Sequence, residues 1–360
     1  MKDLEITIYD SDTLLAVLQD PKAMRPVPSY WLDVCFKRQV TFDSEWIDFG
    51  DLGDDVRKLA PLVVPTAQGK PIMSGAERRQ RVKPAYVKPK DPITASRVFQ
   101  TIAGQGELAG AVDCSKMTPR KRFQVEVSRI LNAHNKAIRM RWEWMAAEAV
   151  LNGKVTLEDE AYPKTVVDFE RDAAHTITLA PGSRWGDANV DIIDSLESMI
   201  QTVREARMGG AVDRITIGSK VMRVLRNDTK IRELMNLNYR NDLANGVNVY
   251  NGVMEGVSVE YAGTLGNGLP IYVYHDYYHD ETGAKVNFMA DTDIVLTGPN
   301  LVGVRAFGGI QDKKANFRAV PMFPKMWDNE DPSATFIMTQ SAPLMVPVNP
   351  NATLRATVVA

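Results

Sequence analysis

The chain is short of the residues on which many folds and sites depend. It has two cysteines in 360 residues, Cys35 and Cys114, which cannot make a disulfide framework and fit a reducing compartment. No apolar run approaches the ~20 residues that a membrane span needs. The first ten residues carry acids where a signal peptide needs a basic region. These absences predict a soluble, mixed globular chain that is made in the cytoplasm.

Net charge is also nearly absent, because 43 basic residues face 45 acidic ones. This balance argues against a protein that coats nucleic acid through bulk charge. The distribution is nevertheless uneven: residues 1–55 hold twelve acids and five bases, and residues 56–90 hold nine bases and one acid. Such runs are either solvated faces or segments that dock on one another, within the chain or on a neighbour.

The sequence contains no motif that predicts catalysis. It has neither a Walker phosphate-binding loop nor a GxSxG turn, and neither cysteine has a histidine nearby in the sequence. His275 and His279 have the spacing of a helical zinc site, but their tyrosine and valine neighbours favour a strand and a turn. We therefore predict no catalytic residue, no metal and no cofactor.

One long helix is the clearest structural prediction. Thr118 is a good N-cap, Pro119 fits the first helical position, and Asn152-Gly153 is a natural stop. Between them one apolar face recurs at spacings of three and four, formed by Phe123, Val127, Leu131, His134, Ile138, Trp142, Met145 and Ala149. A single-faced helix of about 34 residues is roughly 50 Å long and can support other layers.

Two segments lack a partner of their own. Pro21, Pro26 and Pro28 break any helix after a short one near Ser11, which predicts an extended N-terminal arm. Residues 57–90 have almost no apolar periodicity and cannot form a core. Both segments are therefore expected to find partners outside their own subunit.

The remaining chain predicts a mixture of helices and strands, an α+β protein. Two or three strands follow Gly153, and the expected elements after them are helix 190–208 with Asp187 or Asn189 as its cap, strand Arg214–Ile217, a helix capped by Ser219, a hairpin around 256–278 and a last strand Ala334–Ser341.

Several stretches resemble the lambda-type family of phage major capsid proteins. They are Tyr86-Val-Lys-Pro-Lys90, Leu151-Asn-Gly-Lys-Val-Thr156, Gly309-Ile-Gln-Asp312, Phe323-Pro-Lys-Met-Trp327 and, as the most specific match, DPSATFIMTQSAPLM at 331–345. The resemblance covers most of the chain from about residue 60 onward. It implies the HK97-like capsid fold, with an N-terminal arm (1–45), an extended β loop (46–90), a peripheral domain (91–182) with a long spine helix (118–152), an axial domain (183–314) and a return to the peripheral domain (315–360).

The resemblance also implies a function. Copies of the chain would assemble through pentamers and hexamers into the icosahedral head shell of a tailed phage, in the host cytoplasm and then in the virion. The implied partners are the chain itself, a scaffolding protein, a portal and a decoration protein. The shell would enclose double-stranded DNA without reading its sequence, and no membrane is involved. This predicts a structural protein and not an enzyme.

Five basic residues are the candidate contacts between subunits: Lys70, Arg78, Arg79, Arg81 and Lys88. Some family members crosslink a loop lysine to an asparagine of a neighbour, but lambda-type relatives do not rely on this bond, so Lys70 is only a formal candidate for it. Two alternatives stay open. One is an encapsulin-like nanocompartment with the same fold, and the other is a soluble metal-dependent enzyme that uses His275 and His279.

Overall fold

The structure is a computed structural model that describes residues 9–19, 27–51, 62, 65, 68, 78–94, 118–159, 162–234, 259–266, 268–280, 282–331 and 334–360. The helices whose bounds lie within these residues are α1 (Ser11–Gln19), α2 (Tyr30–Cys35), α3 (Pro119–Asn152), α4 (Ile192–Glu205) and α5 (Ser219–Asn227), and residues 229–234 are helical as well. None of them is long and apolar enough to cross a membrane.

Strands occur along the whole described chain and confirm the α+β prediction. They are β1 (Arg38–Thr41), β2 (Ile47–Asp51), β3 (Arg78–Val82), β4 (Lys90–Thr94), β5 (Lys154–Asp159), β6 (Tyr162–Asp168), β7 (Thr176–Thr178), β8 (Arg214–Ile217), β9 (Val259–Leu265), β10 (Leu269–Tyr274), β11 (Tyr277–His279), β12 (Lys285–Asn287), β13 (Asp293–Thr297), β14 (Gly303–Phe307), β15 (Phe323–Asn329), β16 (Ala334–Gln340), β17 (Pro343–Pro347) and β18 (Thr353–Thr357).

The long helix α3, here called the spine helix, has the predicted ends. The Thr118 hydroxyl accepts from the backbone N–H of Lys121, Pro119 opens the helix, and Gly153 ends it at φ +65°. All eight residues of the predicted apolar face are buried. The prediction of a single face is wrong for the last third of the helix, where residues 145–147 and 149–151 are all buried. Small alanines there allow other layers to pack on most sides of the helix.

The described residues form three large hydrophobic cores, and two of them include residues of the spine helix. Its C-terminal half packs with the sheet β1-β14-β17 and the hairpin β5–β6. Its N-terminal half packs with α1 and the sheet β15-β16-β4 through residues such as Leu14, Met326 and Ile337. A second body consists of α4 and α5 packed on the six-stranded sheet β7-β18-β13-β8-β10-β9. The spine helix thus joins the first two cores and ends beside the third.

Local predictions in the second body differ from the structure in small ways. Strand Arg214–Ile217 and the hairpin β9–β10 form as predicted. The cap of α4 is Asp191, whose carboxylate accepts from the backbone N–H groups of Ile193 and Asp194, so the choice of Asp187 or Asn189 was wrong. Ser219 is the first residue of α5, and Gly218 takes the cap position. The predicted caps lie a few residues at most from the observed ones, and hydrophobic periodicity does not resolve a helix end to a single residue.

The predicted last strand is not the last. Strands β17 and β18 follow it, and the sequence reading missed both because β17 is bounded by prolines and buried without alternation. Strand β18 hydrogen-bonds between β7 and β13, so the end of the chain shares a sheet with residues assigned to the axial domain. Strand β14, also assigned to the axial domain, pairs instead with β1 and β17.

Candidate assembly surfaces

Residues 27–41, which we expected to be part of an arm, pack inside their own subunit. The buried side chains of this segment are Tyr30, Trp31, Leu32, Cys35 and Phe36. The hydroxyl of Tyr30 forms a hydrogen bond of 2.7 Å with that of Thr216 on β8. Strand β1 then lies parallel to β14. These contacts hold residues 30–41 against their own subunit.

Polar groups of two other elements hold this segment in place. Arg305 on β14 donates to the carbonyls of Phe36 at 2.6 Å and Leu32 at 2.9 Å. From the spine helix, the carboxylate of Glu143 accepts the backbone N–H groups of Trp31 and Leu32 at 2.8 and 3.0 Å. Burial raises the pKa of Glu143 to about 7, and the two backbone hydrogen bonds oppose that shift.

The strands β2 and β3 form a two-stranded ribbon, here called the charged ribbon. Arg81 binds both oxygens of Asp48, at 2.7 and 3.1 Å, and Lys83 lies 3.1 Å from Glu45. The hydrogen bond from Arg81 lowers the pKa of Asp48, and the same bond raises the pKa of Arg81. The acidic and basic segments thus pair within one chain, as one of our two alternatives predicted. Exposed ion pairs of this kind add little to the free energy of unfolding, and their main effect is on how the paired segments align.

The predicted contact residues lie at or near this ribbon, with one exception. Lys70 lies outside the described residues. Arg78 opens β3, although its side chain is also outside the described set, and Arg79 follows it on the exposed ribbon. Arg81 is engaged with Asp48, yet 65% of its side chain stays exposed. Lys88 is exposed, with its ammonium 4.6 Å from the centre of the Tyr86 ring.

Tyr86 fixes the base of the loop to the rest of the subunit. Its hydroxyl donates to the carbonyl of Gly309 at 2.6 Å and accepts from the backbone N–H of Gln311 at 2.9 Å. Partial burial raises the pKa of Tyr86. The motifs at 86–90 and 309–312, which carried the family resemblance, therefore meet in space.

Two exposed aromatic side chains lie on adjoining loops. Trp46 is 43% exposed and Phe317 is 61% exposed. Their loops are joined by hydrogen bonds from Gly309 N–H to the Ser44 carbonyl and from Ala319 N–H to Asp43. Phe317 has φ +58°, a strained conformation for a bulky residue.

Two partly buried arginines connect the end of the spine helix to the second body. Arg171 donates to the carbonyls of Val150 and Leu151 at 2.6 and 2.7 Å, which satisfies groups that the helix leaves open. Burial, together with nearby Arg355, lowers the pKa of Arg171 to about 10. Arg355 in turn binds the buried carboxylate of Asp293 at 2.6 Å. Hydrogen bonds and an ion pair of these two arginines thus link the core at the end of the spine helix to the core of the second body.

The histidines serve structural roles where the structure describes their contacts. His134 is buried, its Nε2–H donates to Asp91 at 3.0 Å, and the Thr339 hydroxyl donates to its Nδ1 at 3.1 Å. His275 and His279 stand at the two ends of an extended segment, and His279 Nδ1–H donates to the Gly283 carbonyl. Within the described ranges, no three histidine, cysteine or acidic side chains come together as metal ligands would.

Sequence reasoning missed Glu143, Arg171 and Arg305, which hold the subunit together. The only signal for Glu143 was its place in Trp142-Glu-Trp-Met145, a charged residue among large apolar ones. Nothing local marks Arg171 or Arg305, because the carbonyls they bind lie on other elements.

Comparison with known proteins agrees with the motifs. The sequence matches the family described as phage major capsid protein E over residues 10–358. The major capsid protein of enterobacteria phage P21 is 29% identical over 329 residues, which cover 89% of this chain and 91% of that protein. That of Escherichia phage lambda is 27% identical over 353 residues, covering 96% and 98%.

The fold agrees as well. A crystal structure of a prophage protein from Escherichia coli CFT073, described as its capsid protein, superposes with a TM-score of 0.72. The two are 23% identical, and the alignment covers 98% of this chain and 100% of the other. The HK97-like capsid fold predicted from the motifs is therefore confirmed. With the family match over almost the whole sequence, this chain belongs to the phage major capsid protein E family, as its lambda-type motifs predicted.

Proposed function

We propose that copies of this chain assemble through pentamers and hexamers into the icosahedral head shell that encloses the double-stranded DNA of a tailed phage. The observation that carries the proposal is the family match over residues 10–358. Contacts between unlike surfaces close into rings around five- and six-fold axes, and such rings tile a shell.

The charged ribbon supplies one surface for these contacts. Its pairs are solvent-exposed, so a neighbour can compete for or extend them at little cost in stability. We assign Lys70, Arg78, Arg79, Arg81 and Lys88 to contacts with an acidic surface of the next subunit. The domain limits at residues 45, 90, 182 and 314 belong to the same proposal.

The proposal includes partners besides the chain itself. A scaffolding protein would guide curvature, a portal would occupy one vertex, and a decoration protein would bind the finished shell. The near-neutral chain suits a container into which DNA is forced, because a strongly basic wall would hold phosphates and resist DNA movement. The chain would carry out assembly in the host cytoplasm, remain in the virion and catalyse no reaction.

Light scattering and negative-stain images of the purified protein test the main proposal. We expect rings of several hundred kilodaltons or closed shells in the megadalton range, alone or with a scaffolding protein. A protein that stayed at 40 kDa with scaffold, portal and crowding agent added would contradict it.

Reversing the ribbon charges tests the contact residues separately. In the triple variant Arg78→Glu, Arg79→Glu and Arg81→Glu, we expect a folded subunit that no longer forms shells. The matched control replaces the same three residues by Lys, which keeps the charge and should keep assembly. If the Glu variant formed normal shells, the ribbon contacts would be rejected while the shell function stood.

A further inference from the structure

A cavity lies where the segment 27–41 meets the second body of the subunit. Its walls come from the end of α2, the start of β1, residues 213–214 and the segment 297–303 that joins β13 to β14. The cavity measures about 300 Å³. One buried water molecule needs only ~10–15 Å³, so the cavity has room for a small ligand. None of the contacts proposed above involves it.

The cavity carries an excess of positive charge. Its charged lining residues are Lys37, Arg38, Asp213 and Arg214, and three positive charges against one negative charge leave a net charge of +2. Cys35 adds no charge, because burial raises the pKa of its thiol to about 12. In the part of the chain that the structure describes, none of the three bases forms an ion pair. A cleft lined mainly by one sign of charge concentrates ions of the opposite sign.

Arg214 packs against two aromatic rings at one side of the cavity. Its guanidinium carbon lies 4.5 Å from the centre of the Tyr272 ring and 5.9 Å from that of Tyr30. The hydroxyl of Tyr30 is in turn fixed by its hydrogen bond with Thr216. Two ring faces cannot satisfy the five N–H donors of a guanidinium, and its planar fork of donors matches the oxygen atoms of an oxyanion. Arg214 is therefore the residue best placed to bind an anion in this cavity.

Asp213 limits which anion suits the cavity. Its backbone N–H donates to the carbonyl of Thr297 at 3.0 Å, which holds it at the cavity wall. An ionised carboxylate only accepts hydrogen bonds, so it repels an anion that has no proton to give. Sulfate and the diester phosphates of DNA have no such proton at neutral pH. Inorganic phosphate keeps a P–O–H group under the same conditions and can donate it to the carboxylate.

The charged residues of the cavity come from two bodies of the subunit. Lys37 and Arg38 are exposed where α2 leads into β1, and β1 pairs with β14 in the core around the spine helix. Asp213 and Arg214 stand at the start of β8, which lies between β10 and β13 in the six-stranded sheet. Bases from the two bodies repel each other across the cavity, and an anion bound between them turns this repulsion into attraction.

We propose that this cavity binds one inorganic phosphate ion per subunit. Lys37, Arg38 and Arg214 bind its oxygen atoms, and its P–O–H group donates to the carboxylate of Asp213. The ion carries about two negative charges at neutral pH and so balances the net charge of the cavity. In this position it ties α2 and β1 to the six-stranded sheet.

Calorimetric titration of the purified full-length protein with inorganic phosphate, at constant ionic strength in chloride, tests the proposal. We expect saturable binding of one ion per chain. Sulfate should bind at least about tenfold more weakly, because it cannot make the hydrogen bond to Asp213. A short DNA duplex should not compete. No saturable binding, equal binding of sulfate, or binding of DNA without binding of phosphate would overturn the proposal, and none of these results depends on whether the subunit forms shells.

Variants separate the site from a general effect of surface charge. Lys37→Gln should weaken phosphate binding about threefold, whereas the matched control Lys313→Gln, at another exposed lysine, should leave it unchanged. Arg214→Gln should weaken it by at least about tenfold. Asp213→Asn replaces an acceptor by an amide that can donate, so this variant should bind sulfate as well as phosphate. Equal effects of Lys37→Gln and Lys313→Gln, or an Asp213→Asn variant that still preferred phosphate, would contradict the proposed site.

Discussion

The segment 27–41 and the charged ribbon were both expected to find partners on another subunit, and the structure treats them differently. The segment buries five apolar side chains within its own subunit and is held by Glu143 and Arg305. The ribbon pairs its charges with its own acids, but leaves those pairs in water. Of two segments that were expected to lack a partner in their own subunit, the one rich in large apolar side chains thus packs into its own core, and the one rich in charge stays at the surface.

The largest expected difference between the two regions comes from two tryptophans near the N-terminus. Trp31 is completely buried and Trp46 is 43% exposed. Trp31→Ala should lower the free energy of unfolding by about 3–5 kcal/mol, because a large buried side chain is replaced by a cavity. Trp46→Ala should change it by less than about 1 kcal/mol. Urea unfolding of the isolated subunit measures both, and equal losses would remove the contrast between the regions.

Two arginines provide a matched test of polar contacts. Arg305 donates to two backbone carbonyls of the buried segment, whereas Arg81 donates to the exposed Asp48. Arg305→Gln should cost about 2–3 kcal/mol, since charged hydrogen bonds in a partly buried site are lost. Arg81→Gln should leave the unfolding midpoint unchanged. If Arg81→Gln destabilised the subunit as much as Arg305→Gln, the ribbon would have to be counted as part of the core.

A smaller effect on stability is expected from His134, and it is measured as a change of the urea midpoint with pH. Burial lowers the pKa of His134, although Asp91 opposes the shift. The unfolded chain therefore binds a proton first as the pH falls, and stability should decrease below about pH 6.5. The opposing contribution of Glu143 is removed by measuring in a Glu143→Gln background. There, urea midpoints should fall from pH 7 to pH 5, and the further change His134→Gln should make that fall smaller, while His175, whose pKa burial also lowers, accounts for part of what remains.

Features set by short-range chemistry could be predicted from the sequence. The spine helix begins and ends where Thr118-Pro119 and Asn152-Gly153 indicate, because each cap involves only adjacent residues. The hairpin β9–β10 follows from alternation and glycine in the same way. The motifs predicted the family and the fold because they cover most of the chain in order.

Features set by contacts between distant residues could not be predicted. The parallel pairing of β1 with β14 joins Arg38 to Val304, and no local pattern specifies it. In the six-residue helix α2, the backbone N–H groups of the first turn are satisfied by Glu143, which is distant in the sequence. The sequence of α2 itself therefore contains little that indicates a helix. The charge runs in the sequence indicated the ribbon as a candidate assembly surface. The structure was needed to show that Arg81 and Lys83 pair with acidic residues of the same chain.

Hydrogen exchange of the same chain as a free subunit and in assembled shells tests the contrast between the two regions most directly. The account predicts that amides of the ribbon strands, Ile47–Asp51 and Arg78–Val82, gain protection on assembly. Amides of Tyr30–Phe36 should keep the protection that they already have in the subunit at the same pH. A gain confined to Tyr30–Phe36, with the ribbon unchanged, would contradict the assignment of the ribbon to the neighbour and of the segment to its own core.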